Sequence, residues 1–271
     1  MQCLPASEKN TPKYQSVKMR KKEKIMILEN YLKVEERVQA ACERAGRSRD
    51  EVTLIAVSKT KPDEMVEELV SGGVRDFGEN KPQELMRKHD ELCLKAGLNW
   101  HMIGNIQTNK VKMIVGRACL IHSVPSLHTA QAISKQAEKL VLSGAASADF
   151  KAHILIEVNI ADEETKHGAS IADKKELEEH VLEIAELPFI SVDGLMAIAP
   201  PADDPEENRH YFRALRELRD EIQKTCRLQN IENAPLTELS MGMTGDFEVA
   251  IEEGATFVRV GTAIFGERIY T

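Results

Sequence analysis

Eight short apolar runs, separated by stretches in which apolar residues recur at helical spacing, constrain the fold of this chain more than any other feature. The runs are Val52–Ser58, Val74–Gly78, Asn99–Ile103, Ala118–Ser123, Ala152–Asn159, Ser191–Ile198, Glu238–Ser240 and Phe257–Val260. Between them the spacing predicts helices over Asp63–Ser71, Lys81–Ala96, Asn109–Val115, Ser126–Ser143, Ile171–Leu187, Pro205–Gln229 and Gly245–Glu253. Strands covered on both faces read as continuous apolar runs, so this alternation within 271 residues predicts an α/β protein, a single (β/α)8 TIM barrel. The doubly wound alternative needs a glycine-rich dinucleotide turn, and no GxGxxG follows any of the runs. Ahead of the barrel, Met26 to Gly46 reads as a helix. Residues 1–25, polar and lysine-rich, read as a mobile tail, leaving 26–271 as one domain.

Composition narrows the partners. A net charge of −8 and an aromatic content of 4% argue against nucleic acid, which wants a basic surface and stacking rings. Five cysteines in odd number, without a CxxC pair, suit neither a disulfide framework nor a zinc site. The histidines show no HExxH spacing, so no metal is expected. No apolar run approaches the roughly 20 residues of a membrane helix, and no secretory signal opens the chain. A cytoplasmic protein is the expectation.

Barrels carry their chemistry at the C-terminal ends of the strands. Here those ends bear Lys59, Asn80, His101, Asn159, the segment Ser240-Met241-Gly242-Met243-Thr244 and the segment Arg259-Val260-Gly261-Thr262. Glycines that leave backbone amides open, with hydroxyls beside them, suit a phosphate monoester after the last two strands. The same residues also fit two ordinary strand-to-helix turns. Lys59 ends the first strand in step with Ile55 and Val57, which points it inward. A lysine desolvated by an apolar rim is a competent amine nucleophile, and an amine facing a phosphate cup predicts pyridoxal 5'-phosphate (PLP), bound through a Schiff base. A solvated strand end is the alternative for Lys59, and the expectation for Lys61. Arg259 alternates with apolar neighbours and is expected to point into the barrel, toward either the cofactor or an interior acid such as Glu157. Asn80 and His101 either line the cofactor space or are hydrogen-bonded core residues. Lys166-His167-Gly168 reads as a solvated loop.

Taken together and in order, AVSKTKP, FGEN, WHMIGNIQTNK, EVNIADEETKHG, GLMAIAP, LSMGMTGDFEVAI and VRVGTAIFGE resemble the YggS/PROSC family of pyridoxal phosphate homeostasis proteins, from about Leu28 to Tyr270. The resemblance implies a barrel of the alanine-racemase N-terminal-domain type with PLP on Lys59. It also implies phosphate contacts from Ser240, Met241, Gly242, Met243, Thr244, Gly261 and Thr262, with Arg259 beside the cofactor.

That family is regarded as acting in cofactor supply and amino-acid balance without a firm catalytic activity. The related racemases draw a second base from an additional β domain, and this chain is expected to lack one, since the eighth strand lies close to Thr271. Two expectations therefore stand side by side: a PLP carrier and regulator, possible partner of PLP-dependent apoenzymes and monomer or weak dimer, or a weak PLP-dependent amino-acid racemase.

Overall fold

The computed structural model describes residues 21–92, 97–161, 169–171 and 173–267. Its strands are β1 (Thr53–Val57), β2 (Asp76–Glu79), β3 (Asn99–Met102), β4 (Leu120–Val124), β5 (Ala152–Asn159), β6 (Ala169–Ser170), β7 (Ile190–Ala197), β8 (Glu238–Ser240) and β9 (Phe257–Val260). All pairings are parallel in the order β4-β3-β2-β1-β9-β8-β7-β5, and β4 pairs with β5 to close the ring. Eight strands thus form the expected closed barrel. β6 is an addition of two residues bonded to the end of β5, through Val158↔Ala169 and Asn159↔Ser170. A pair of residues carries no periodicity and is invisible to a reading of the sequence.

The helices are α1 (Lys21–Arg44), α2 (Asp63–Ser71), α3 (Pro82–Leu92), α4 (Leu127–Leu142), α5 (Lys174–Ala185), α6 (Arg209–Leu228), α7 (Phe247–Glu252) and α8 (Thr262–Phe265). Where expected boundaries moved, backbone hydrogen bonds account for it. The apolar pattern places Val74 in the second strand, but its N–H bonds to the Leu69 carbonyl and closes α2. Ala118, assigned to the fourth, bonds back to Ile114 and continues the preceding turn. That turn, Thr108–Met113, is a 3-10 helix in the region expected to be α-helical. Residues 21–25, expected in the tail, belong to α1: Lys-Lys-Glu-Lys has good helix propensity but offers no apolar period to detect. The rest of that tail, 1–20, lies outside the described residues, as does Lys166-His167-Gly168.

Helices cover the barrel through apolar stripes. α6 buries Phe212, Leu215, Leu218, Ile222 and Cys226, a spacing that keeps one face inward. The apolar face of α1 is used within the molecule: Val34, Val38, Ala41 and Cys42 are buried, and the helix packs on α2, α7 and α8. Arg37 and Arg44 tie α1 to Glu248 and Glu252 of α7.

Inside the barrel, a small apolar layer of Leu120, Leu155 and Met196 sits against Phe257. Beside it run buried polar groups, His101, His122, Ser240 and Arg259. The register Ile55↔Arg259 directs both side chains to the interior, as the alternation predicted.

Candidate functional site

The C-terminal ends of β1, β2, β8 and β9 enclose a cavity of about 340 Å³. It brings together seven of the residues singled out from the sequence: Lys59, Asn80, Met243, Thr244, Arg259, Gly261 and Thr262. A second cavity of about 380 Å³ shares Ile198, Met243 and Gly245 with it and extends the mouth toward Pro200 and Pro201. The other three candidates stand behind the wall. Met241 is fully buried in the core, and Ser240 is buried with its hydroxyl bound to Arg259 and His122. Gly242 has φ 89°, and a Cβ on it would lie 2.6 Å from Ala250 Cβ and 2.9 Å from Phe247 Cα. Only glycine lets the β8 loop lie this close to α7.

Lys59 occupies the turn after β1, and that turn is pinned on both sides. Lys88 of α3 is wholly buried. Its Nζ donates to the Ser58 carbonyl oxygen at 2.8 Å and to Glu79 Oε1 at 2.8 Å, while Ser58 Oγ donates to the same Glu79 oxygen at 2.7 Å. Burial pushes the Glu79 carboxyl up and Lys88 opposes this. On the other side, Thr60 has φ 63°, a costly conformation for a β-branched residue, and its N–H donates to Glu84 Oε1 at 2.9 Å. Lys61, expected to be solvated, donates to the carbonyls of Phe265, Gly266 and Glu267 at 3.0–3.1 Å and so ties the β1 turn to the end of α8.

Arg259 donates from Nη1 to Ser240 Oγ and from Nη2 to the Ala197 carbonyl oxygen at 2.9 Å. Burial pulls its pKa down to about 10, and the charges of Asp246 and Glu157 work against that fall, so the guanidinium is a cation at neutral pH. The interior acid foreseen for it therefore acts through its field.

Asn80 lines the cavity, and its Oδ1 is buried without a hydrogen-bond partner. Its backbone is approached so closely by Gly104 that a Cβ there would lie 2.4 Å from the Asn80 carbonyl oxygen. His101 is absent from the wall. It is 3% exposed and bonded to Asp76 and His122, which settles its two readings in favour of the core. His122 and Lys88 were missed. Lys88 left a signal, for it interrupts the buried stripe Leu85, Lys88, Leu92 of α3.

An amine, a buried cation, an orphaned amide oxygen and two hydroxyl-bearing glycine turns around one cavity fit the parts of PLP: aldehyde, ring and phosphate. Fold and site thus define a barrel of the alanine-racemase N-terminal type with a lysine amine at its mouth. The family model described as alanine racemase, N-terminal domain, matches residues 30–269. Alanine racemase of Clostridium difficile shares the fold, with TM-score 0.64 at 13% identity over 91% of this chain and 58% of that one. The pyridoxal phosphate homeostasis protein of Aquifex aeolicus is 47% identical over 242 residues, 89% of this chain and 98% of the relative. PipY of Synechococcus elongatus, solved with PLP bound, matches with TM-score 0.71 and 32% identity over 89% of this chain and 100% of that one. The chain belongs to the family of pyridoxal phosphate homeostasis proteins. Among the described residues no helix is long and apolar enough to cross a membrane.

Proposed function

We propose that this chain binds PLP in the cavity between β1 and β9 and serves PLP homeostasis as a carrier and regulator of the cofactor. When bound, PLP supplies an aldehyde that condenses with primary amines and a ring that withdraws electrons. In this reading Lys59 is the amine that takes the aldehyde. Thr244 and Thr262, with the backbone at Gly245 and Gly261, hold the phosphate on a loop that Gly242 shapes from behind, and Asn80 and Arg259 address the ring. A guanidinium donates hydrogen bonds without readily giving up a proton, so a ring nitrogen beside it stays unprotonated and the ring is a weak electron sink. That favours storage and release over turnover. The protein is read as cytosolic, a monomer or weak dimer, passing its cofactor to PLP-dependent apoenzymes.

The single observation that carries this proposal is the meeting of Lys59 with Arg259, Thr244 and Thr262 on one cavity wall. An absorption spectrum of the purified protein with and without added PLP tests it. A visible band that borohydride removes, leaving added mass on Lys59, is the expected result. No band, or mass on other lysines only, refutes it.

A further inference from the structure

A line of hydrogen bonds runs through the barrel behind the cavity. Arg259 Nη1 donates to Ser240 Oγ, which lies 2.8 Å from His122 Nδ1. His122 Nε2 lies 3.0 Å from His101 Nδ1, and His101 Nε2 lies 3.2 Å from Asp76 Oδ1. Strands β9, β8, β4, β3 and β2 contribute one residue each. Ser240 and His122 have no exposed surface, so neither bond can be exchanged for water. The line begins at the cavity wall and ends on Asp76, the first residue of β2, at the opposite end of the barrel.

A neutral imidazole has one donor and one acceptor nitrogen, which couples the direction of each bond to the next. With both nitrogens of His101 protonated, Nδ1–H donates to His122 Nε2. His122 must then carry its proton on Nδ1 and donate it to Ser240 Oγ, which accepts from His122 and Arg259 together. With His101 neutral and its proton on the Asp76 side, Nδ1 accepts instead. His122 then holds its proton on Nε2, and its bare Nδ1 accepts the Ser240 hydroxyl. One proton at His101 therefore reverses both bonds between it and Ser240.

The surroundings favour the first arrangement at neutral pH. His101 is faced by Asp76 from β2, by His122, by the Phe257 ring and by Cys119, whose Sγ lies 3.6 Å from Nε2. Burial opposes its charge, but the Asp76 and Cys119 contacts outweigh burial and push its pKa up to about 9. His122 meets the same Phe257 ring. Burial first, then the charges of His101 and Arg259, hold it well below the usual histidine range. Arg259 also feels the charges of Asp246 and Glu157.

We propose that His122 is a positioning residue for the cofactor cavity: it takes its tautomer from His101, imposes it on the Ser240 hydroxyl, and so sets whether the oxygen that accepts from Arg259 also accepts from His122 or donates to it. Its consequence for the cofactor rests on the reading that the cavity takes PLP, whereas the relay itself does not.

Two measurements separate these parts. In unliganded protein labelled with 15N-histidine, nuclear magnetic resonance at pH 7 should find His101 doubly protonated and His122 neutral with its proton on Nδ1. As the pH rises, the His122 proton should move to Nε2 at the same midpoint at which His101 titrates. A His122 tautomer indifferent to that midpoint overturns the relay. In PLP-loaded protein, His122→Leu and Ser240→Ala should each move the pH midpoint of the visible absorption by about one unit, a tenfold change in proton affinity. His122→Asn, whose amide nitrogen stands near the Nδ1 position, should restore it. If His122→Leu does not fold, Ser240→Ala cuts the same link, and an unchanged midpoint there overturns the positioning role. A wild-type protein that takes up no PLP sinks the cofactor reading and the positioning role with it, while the relay stands or falls on the resonance data.

Discussion

Lys88 Nζ donates at 2.8 Å to the carbonyl oxygen of Ser58, the residue immediately before Lys59. A fully buried ammonium on α3 thus holds the backbone that carries the candidate Schiff-base lysine, with Glu79 as its counter-charge. Removing one member of such a pair leaves the other charge stranded in the core. Lys88→Met should therefore cost about 3–5 kcal/mol, read as a fall in the urea midpoint, and adding Glu79→Leu should return most of it. A single substitution that leaves the midpoint in place would show that the pair contributes nothing.

Lys59 itself is half-buried at the cavity rim. Lys59→Ala should change stability by less than about 1 kcal/mol and abolish borohydride-fixed mass. Part of the cofactor should still be retained non-covalently, as equilibrium dialysis would report.

At Gly242 a methyl group meets Ala250 and Phe247 on a backbone with φ 89°. Gly242→Ala should lower stability by about 3 kcal/mol and weaken PLP uptake, measured by thermal unfolding and by the visible band. Full loading of a stable alanine variant would mean that the β8 loop does not shape the phosphate end.

Stability should depend on pH through the two interior histidines. The folded-state pKa of His101 is raised to about 9, so its contribution is complete below the unfolded value of about 6.5 and is lost as pH climbs through 9. His122 is depressed, so below about 6.5 the unfolded chain binds a proton that the folded one refuses, and stability falls again. The urea midpoint should peak near pH 6.5 and decline toward pH 9.5 by on the order of 3 kcal/mol in stability. Asp76→Asn removes the carboxylate that raises His101 and should flatten the decline.

Carrier and racemase differ in what happens at the α-carbon of an amino acid. Loaded protein incubated with L-alanine in deuterated water should exchange α-protons far more slowly than about 10 per second, the median enzymatic turnover. Exchange at that rate, read by mass spectrometry, would favour the racemase.

The barrel itself was legible in the chain. Parallel strands buried on both faces announce themselves as apolar runs, as with Ala152–Asn159, found where expected. Inward alternation was also enough to point Arg259 into the barrel, where the register sets it beside Ile55. Motifs at the strand ends foretold most of the cavity wall, because a barrel gathers all its strand ends at one mouth. Lys61 and His101 were harder: each is a polar residue near an apolar run, and whether it meets solvent, carbonyl or imidazole depends on a distant element.

What the sequence determined by itself is therefore periodic and local: which segments are strands, which faces are apolar, and which reactive groups end a strand. The buried pairings, Lys88 with Ser58 and Glu79, and His122 between His101 and Ser240, come from the packing of whole elements. Lys88 stands only 9 residues from Glu79 and 30 from Ser58, and the three meet because α3 folds back on the ends of β1 and β2. His122 and Ser240, 118 residues apart, meet across the barrel interior that the pairing of β4 with β5 closes, a condition no local period can encode.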